Sequence, residues 1–216
     1  MKLKLAFILL FSWTCLSAQY SSKELINIHN LHPKSKIDSN LLKYAAIALP
    51  YFKEIEGVRL ILRERKQVIP LTTIPSFFNI FRPKRNWIVR VNVSTGTMKF
   101  LEPILVKNMP DSAAIGVIGH ELSHVTDFNT HKASYILKVF FWHVSPRKMD
   151  KFEFETDHIA IKAGFGKYLR AWSHETHTRL NHDTFDRDKT GKRIHERYMR
   201  VETIEKYMKM YPEIYP

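Results

Sequence analysis

The chain has 216 residues, of which 44% are hydrophobic and 12% aromatic, which predicts one domain with a hydrophobic core and excludes two large domains. Its formal net charge of +13 favours anionic partners such as membrane headgroups, envelope polysaccharide or nucleic acid, without choosing among them. Cys15 is the only cysteine and lies near the N-terminus, so disulfides are excluded and a metal site has to use histidines and carboxylates.

The first residues have the plan of a secretory signal peptide. Two lysines are followed by an apolar run, and small residues end the segment. The apolar run is too short to cross a bilayer comfortably. We therefore predict a signal peptide over residues 1–18 and a single exported domain over residues 19–216, periplasmic or secreted. The alternative is an uncleaved anchor, because Leu16 is not the small residue usual at that place in a cleavage site.

The first elements of the domain are a helix and a strand. Leucines and alanines at helical spacing predict a helix over residues 39–52, with a kink at Pro50. Apolar and charged residues alternate over 58–64, which predicts a strand buried on one face. Two prolines interrupt residues 70–81, for which we predict a loop or a short helix.

The clearest strand in the sequence covers residues 86–93. Trp87, Val89 and Val91 fall on one face, and polar residues alternate with them on the other. A Ser-Thr-Gly-Thr turn follows, and residues 98–106 are predicted to return as a short strand. Strands followed by a run of helices predict an α+β domain.

The next helix carries the motif HExxH. Apolar residues at helical spacing run through residues 111–128, with His120, Glu121 and His124 in their midst. Side chains four apart on a helix stand one above the other, so both imidazoles can reach one metal ion. Gly116 and Gly119 each cost helix stability, which predicts that another element approaches closely there.

Four further helices are predicted towards the C-terminus. Residues 133–144 are apolar almost all round, which indicates a buried core helix or, given Trp142 and the basic charge, an interfacial contact with an anionic membrane. Helices over 149–164 and 167–180 follow, and an amphipathic helix is predicted over 196–210.

Two histidines do not complete a zinc site, which needs a third protein ligand and a water. The residues after His124 do not follow the metzincin pattern. Glu153 and Asp157, one turn apart on a later helix, offer a ligand and an acceptor for the free N–H of a ligand histidine. Glu155 and Asp150 remain alternatives for the third ligand.

With HExxH followed by ExxxD, the chain resembles the HtpX and CAAX prenyl protease family of gluzincin peptidases over residues 41–166. The resemblance implies a zincin-like α+β domain, in which a small mixed sheet has an edge strand packed on the HExxH helix and a Glu-bearing helix follows. Residues 86–93 fit that edge strand. It also implies one zinc ion per subunit. The implied metal ligands are His120, His124 and Glu153. The implied catalytic group is Glu121, and the implied supporting carboxylate is that of Asp157.

The chain departs from the family at several places. Thr156 stands where alanine is usual, and the transmembrane helices of the membrane-embedded members have no counterpart. The His-Pro and Arg element that often follows in the family is not clear here. His195 and Arg200 have approximately that spacing, without the proline.

The expected function is that of a zinc-dependent endopeptidase with Glu121 as general base. A peptide or protein substrate is expected to lie along the edge formed by Trp87, Val89 and Val91. An oxyanion donor is expected from one of five residues, among which the sequence does not choose: Tyr198, Arg200, His174, His177 and His195.

Two alternatives remain at this point. One is a non-catalytic, zinc-stabilised basic protein that binds anionic envelope surfaces; the other is an intracellular metalloprotease linked to DNA. Nucleic acid is not expected as a partner, because the basic clusters lack interleaved aromatic residues.

Overall fold

A computed structural model describes residues 32, 34–67, 69–75, 81, 86–95, 99–180 and 196–216. The predicted signal peptide and His195 lie outside the described residues. The elements follow in the order β1 (Lys36–Ile37), α1 (Ser39–Ala48), β2 (Arg59–Gln67), β3 (Leu71–Pro75), β4 (Asn86–Thr95), α2 (Asp111–Thr130), α3 (Ala133–Trp142), α4 (Pro146–Lys162), α5 (Gly166–Arg179) and α6 (Val201–Met208).

The four strands form one mixed sheet in the order β1-β2-β4-β3. β1, β2 and β4 run parallel, while β3 runs antiparallel to β4 at one end of the sheet. The predicted α+β class with a small mixed sheet is therefore confirmed.

The prediction that residues 86–93 form the edge strand is wrong, because β4 has a neighbour on each side. Val89 pairs with Leu62 of β2 and with Thr73 of β3, and Val91 is likewise paired with both neighbours. Trp87 is fully buried and stacks on Phe128 of α2, with ring centroids 5.4 Å apart. Trp87, Val89 and Val91 therefore cannot offer a free edge to a substrate.

The edge strand beside the HExxH helix is instead β3, in a segment predicted as a loop or short helix. Its prolines, which suggested the loop, are compatible with this strand. Pro70 precedes β3 and Pro75 is its last residue. A proline is tolerated at the end of an edge strand, where its missing N–H breaks no central ladder.

Two other segments differ more from the sequence predictions than by a few residues at a helix end. Of the segment predicted as a strand over 98–106, the described residues 99–106 do not form a strand; 3₁₀ helices cover Lys99–Ile104 and Val106–Asn108, and Pro103 lies inside the first. The C-terminal helix begins at Val201 and not at residue 196, and residues 196–200 form a non-helical segment before it.

Helix α2 runs through the core, with an unbroken run of buried residues from Ala113 to Phe128. α5 packs closely on it at the two glycines. A Cβ atom at Gly116 would overlap the Tyr168 carbonyl, and one at Gly119 would overlap the Phe165 ring. The close approach predicted from these glycines is confirmed, and it fixes α2 against the C-terminal helices.

Helix α3 is buried on one side and exposed to solvent on another. Ile136 and Val139 are buried against the core, whereas Phe140 and Phe141 are exposed to solvent. Within the described parts of the chain, no helix combines the length and the apolar character needed to cross a bilayer.

Candidate metal centre

Helix α2 holds His120 and His124 one turn apart inside the core. Their side chains are almost completely buried, and their ring centroids lie 4.8 Å apart. The ring of His120 also contacts Trp172 of α5, at 4.8 Å between centroids, and that of His124 stacks on Phe152 of α4 at 5.1 Å. Aromatic packing on both histidines limits the orientations that the imidazoles can adopt.

Helix α4 brings Glu153 to the same point. Its Oε2 atom lies 3.2 Å from Nε2 of His120 and 3.2 Å from Nε2 of His124. Of the alternative ligands, Glu155 is exposed on the helix surface, and Asp150 is held by Arg197 at 2.6 Å. Within the described residues, the potential metal-binding group therefore consists of His120, His124 and Glu153.

Asp157 fixes the orientation of His120. Nδ1 of His120 donates to Oδ1 of Asp157 at 2.8 Å, while Oδ2 of Asp157 accepts the backbone N–H of Met199 at 2.7 Å. Ser173 in turn donates its hydroxyl to the Met199 carbonyl at 2.8 Å. The carboxylate is thus held between a ligand histidine and the segment before α6, a backbone contact that the sequence did not indicate.

Thr156 fixes the orientation of His124. Its hydroxyl donates to the carbonyl of Phe152 at 2.9 Å and lies 3.2 Å from Nδ1 of His124. Since the hydroxyl proton is already used, the Thr156 oxygen accepts the Nδ1 proton of the imidazole. In the sequence, Thr156 was noted only as a difference from the alanine that is usual in the family the chain resembles. Its position next to Asp157, on the helix that carries Glu153, could have indicated a contact with a histidine.

These hydrogen bonds determine what can bind between the Nε2 atoms of His120 and His124 and the Oε2 atom of Glu153. With both Nδ1 atoms acting as donors, each neutral imidazole turns the lone pair of Nε2 towards the Glu153 carboxylate. Three electron-rich atoms in a buried space require a cation between them. Zinc bound tetrahedrally at about 2.0–2.1 Å separates its ligand atoms by roughly 3.3 Å. Oε2 of Glu153 lies 3.2 Å from each Nε2 atom, and all three atoms lie within 4.8 Å of one another, so the residues fit zinc.

Without a metal, a proton serves as that cation. Burial acts to lower the pKa of His120, but its hydrogen bonds to Asp157 and Glu153 outweigh burial and raise the pKa to about 10. Burial likewise acts to raise the pKa of Glu153, yet the neighbouring charges of His124 and His120 hold it well below its usual range. The centre is thus arranged to stabilise positive charge.

Glu121 lies beside the centre and is held from the sheet. It is buried, and Oγ1 of Thr73 in β3 donates to its Oε2 atom at 2.6 Å. The edge strand therefore touches the glutamate of HExxH directly. Sequence reasoning missed Thr73 because β3 was predicted as a loop or short helix.

Tyr198, one of the candidate oxyanion donors, contacts His120 of the potential metal-binding group. Its ring centroid lies 5.5 Å from that of His120. Burial, reinforced by the charge of Glu153, raises the pKa of Tyr198 well above its usual value, so its hydroxyl stays protonated at neutral pH. Of the other candidates, Arg200 pairs with Glu196 at 3.6 Å, and His177 donates to the Ser173 carbonyl. His174 is exposed, and His195 is not among the described residues.

Comparison with known proteins identifies no relative. No family model matches the sequence, and neither a curated protein nor a solved structure matches the chain.

Proposed function

We propose that this protein is a zinc-dependent endopeptidase with a zincin-like domain of the gluzincin type. The observation that carries the proposal is the convergence of His120, His124 and Glu153, with each imidazole oriented by its own acceptor. A structural zinc site is usually closed by four protein ligands, whereas three protein ligands leave a position for water. Bound at this centre, zinc supplies Lewis acidity to a scissile carbonyl and lowers the pKa of a water.

Glu121 is the general base in this proposal. It follows His120 directly in the chain, and Thr73 fixes one of its carboxylate oxygens. The other oxygen takes the proton from the attacking water and later donates it to the leaving amine. Because Thr73 holds the carboxylate, little orientational freedom has to be lost when the substrate binds.

Tyr198 is the proposed hydrogen-bond donor to the developing oxyanion. Its ring packs on His120 and, at 5.5 Å, on Trp172, which places the phenol at the border of the centre. A protonated hydroxyl beside the reacting carbonyl stabilises negative charge that appears only in the transition state. Tyr198 is therefore preferred to the other four candidate oxyanion donors.

The substrate-binding edge in this proposal is β3 and not β4. β3 is the terminal strand of the described sheet, and Thr73 connects it to Glu121. An extended peptide can add to such a strand through main-chain hydrogen bonds, which favour cleavage with little side-chain preference. The scissile bond then passes the base that β3 itself positions.

Replacing Glu121 tests the proposed chemistry. The Glu121→Gln variant is expected to bind zinc as the wild type does and to lose casein or peptide cleavage by roughly a hundredfold or more, because the base is removed. Zinc content and hydrolysis are measured on the same preparations. The matched control is Glu155→Gln, an exposed position on α4, which is expected to leave both unchanged.

Two results would contradict the proposal. Full hydrolysis by a zinc-loaded Glu121→Gln variant would exclude Glu121 as the base. A wild-type protein that holds one equivalent of zinc but cleaves no peptide at any pH would instead support a non-catalytic, zinc-stabilised protein.

A further inference from the structure

The outward face of α3 carries a stripe of large apolar side chains that the described residues do not cover. Leu137, Phe140 and Phe141 follow the spacing i, i+3 and i+4, so they share one face of the helix, and Val144 follows in the turn after it. Their exposed fractions are high: Leu137 44%, Phe140 71%, Phe141 68% and Val144 87%. Ile136 and Val139 on the opposite side are buried, so the helix is anchored to the core while this face points away.

Basic residues surround the stripe. Within residues 131–151 the exposed cations are Lys132, Lys138, Arg147, Lys148 and Lys151. The acid in that stretch, Asp150, is buried and already bound to Arg197. The local surface is therefore positive, as the whole chain is.

A cavity of about 450 Å³ opens next to the stripe, between α3 and α4. Its walls combine Tyr135, Trp142 and Phe152 with three of the lysines and one carboxylate, that of Glu155, so the cations outnumber the acid. The ammonium of Lys138 lies 5.5 Å from the centre of the Trp142 ring. Aromatic rings and ammonium groups in one cavity suit the phosphate of a lipid headgroup and the start of its acyl chains.

We propose that the α3 face docks on the surface of an anionic lipid bilayer. Phe140 and Phe141 enter the boundary between headgroups and acyl chains, and the surrounding lysines and arginine contact lipid phosphates. Apolar insertion and electrostatic attraction together give peripheral binding without a membrane-spanning helix. A second copy of this chain is a poorer occupant, because a two-fold contact would bring two positive surfaces together.

The docking has a consequence for the metal centre. Phe152 forms a wall of the cavity and also stacks on His124, so the centre lies close behind the docking surface. Bound in this way, the protein meets peptides at the membrane surface. The docking itself requires neither zinc nor hydrolysis, so its failure is distinguishable from a failure of the proposed function.

Vesicle co-sedimentation of the full chain tests the proposal. Wild-type protein is expected to bind vesicles of phosphatidylcholine with about one third phosphatidylglycerol and to bind pure phosphatidylcholine at least tenfold more weakly. The double variant Phe140→Ser/Phe141→Ser is expected to lose at least tenfold in affinity, since both rings leave the interface. Lys148→Glu/Lys151→Glu is expected to lose binding to the anionic vesicles as well.

Matched controls separate this face from general charge and hydrophobicity. Phe100→Ser removes an exposed phenylalanine from the 3₁₀ helix over Lys99–Ile104. Lys99→Glu/Lys107→Glu gives the same net charge as the α3 charge variant at other exposed lysines. Both controls are expected to bind as the wild type does. Every variant keeps the same N-terminal segment, so a difference between variants reports the substituted face.

Several outcomes would overturn the proposal. Equal binding of wild type to both vesicle types, or no binding, would exclude an anionic bilayer as the occupant. Equal losses in the control variants would remove the assignment to α3. Concentration-dependent dimerisation in sedimentation velocity, lost in Phe140→Ser/Phe141→Ser, would assign the face to a second copy of the chain.

Discussion

At the scale of single residues, the two ligand histidines are oriented by different chemistry. His120 donates to a carboxylate, whereas His124 donates to the Thr156 hydroxyl. A hydroxyl can accept the Nδ1 proton only because its own proton goes to the Phe152 carbonyl. Thr156 therefore has a role at this centre that an alanine could not fill.

Replacing Thr156 tests that role. Thr156→Val keeps the shape of the side chain but leaves the buried Nδ1–H of His124 without its acceptor. We expect the zinc affinity to fall by about 10- to 100-fold, the usual effect of removing a group that orients a ligand. Thr156→Ser keeps the hydroxyl and should bind zinc nearly as tightly as the wild type. Equal affinities for the valine variant and the wild type, measured by competition with a chelator, would contradict this role.

The sequence predicted the residues of the potential metal-binding group better than it predicted the groups that orient them. His120, Glu121 and His124 share one short helical segment, so their spacing alone fixes their relative positions. The Thr73–Glu121 and Asp157–Met199 contacts join residues 48 and 42 apart in the chain. Such contacts depend on how separate elements pack, which spacing within one element does not reveal.

At the scale of elements, β3 links the sheet to the proposed chemistry through one side chain. Thr73→Val removes the hydroxyl that binds Glu121, while valine preserves the preference for a strand. We expect kcat to fall roughly tenfold with KM and zinc content unchanged, because the carboxylate is less well positioned. Thr73→Ser is the control and should retain most of the activity. A valine variant with wild-type kcat would show that β3 does not position the base.

The contact between α2 and α5 makes a prediction for stability. A Cβ atom at Gly116 would meet the rigid backbone carbonyl of Tyr168, so Gly116→Ala has to separate the two helices. Overpacking of this kind costs about 1–3 kcal/mol, which outweighs the gain of about 1 kcal/mol in helix propensity. Thermal unfolding should show a lower Tm for Gly116→Ala and little change for Ser112→Ala, an exposed position on the same helix. A higher Tm for Gly116→Ala would contradict the close contact.

The secondary-structure predictions were wrong in segments that contain prolines and whose structure depends on tertiary packing. Prolines at both ends of β3 suggested a loop, although a short edge strand tolerates them. Residues 98–106 suggested a strand, yet Pro103 lies inside a 3₁₀ helix that buries Leu101 and Ile104. The long helices were predictable because their apolar periodicity extends over several turns.

At the scale of the whole molecule, a bound ion would join α2 to α4 and stabilise the fold. A ligand that binds only the folded state, present at a hundred times its Kd, adds about 2.7 kcal/mol. For a chain of this size we expect removal of zinc by chelation to lower the Tm by roughly 5–10 °C. Adding zinc back should restore it.

The Glu153→Ala variant is the control for this effect. It lacks one ligand, so chelation should leave its Tm nearly unchanged, whereas Glu155→Ala should respond as the wild type does. A Tm of the wild type that is insensitive to chelation, at a measured zinc content of one equivalent, would show that the ion does not connect the two helices.

The bond between Asp157 and the backbone of Met199 has a consequence for how the protein is made. As the chain emerges from a ribosome or a translocation channel, His120, His124 and Glu153 appear well before residue 199. Until then, one oxygen of Asp157 lacks the N–H donor that holds it against His120. We therefore expect the centre to mature late in biosynthesis, because a nascent chain stalled before that point carries the three converging side chains without the bond that orients His120.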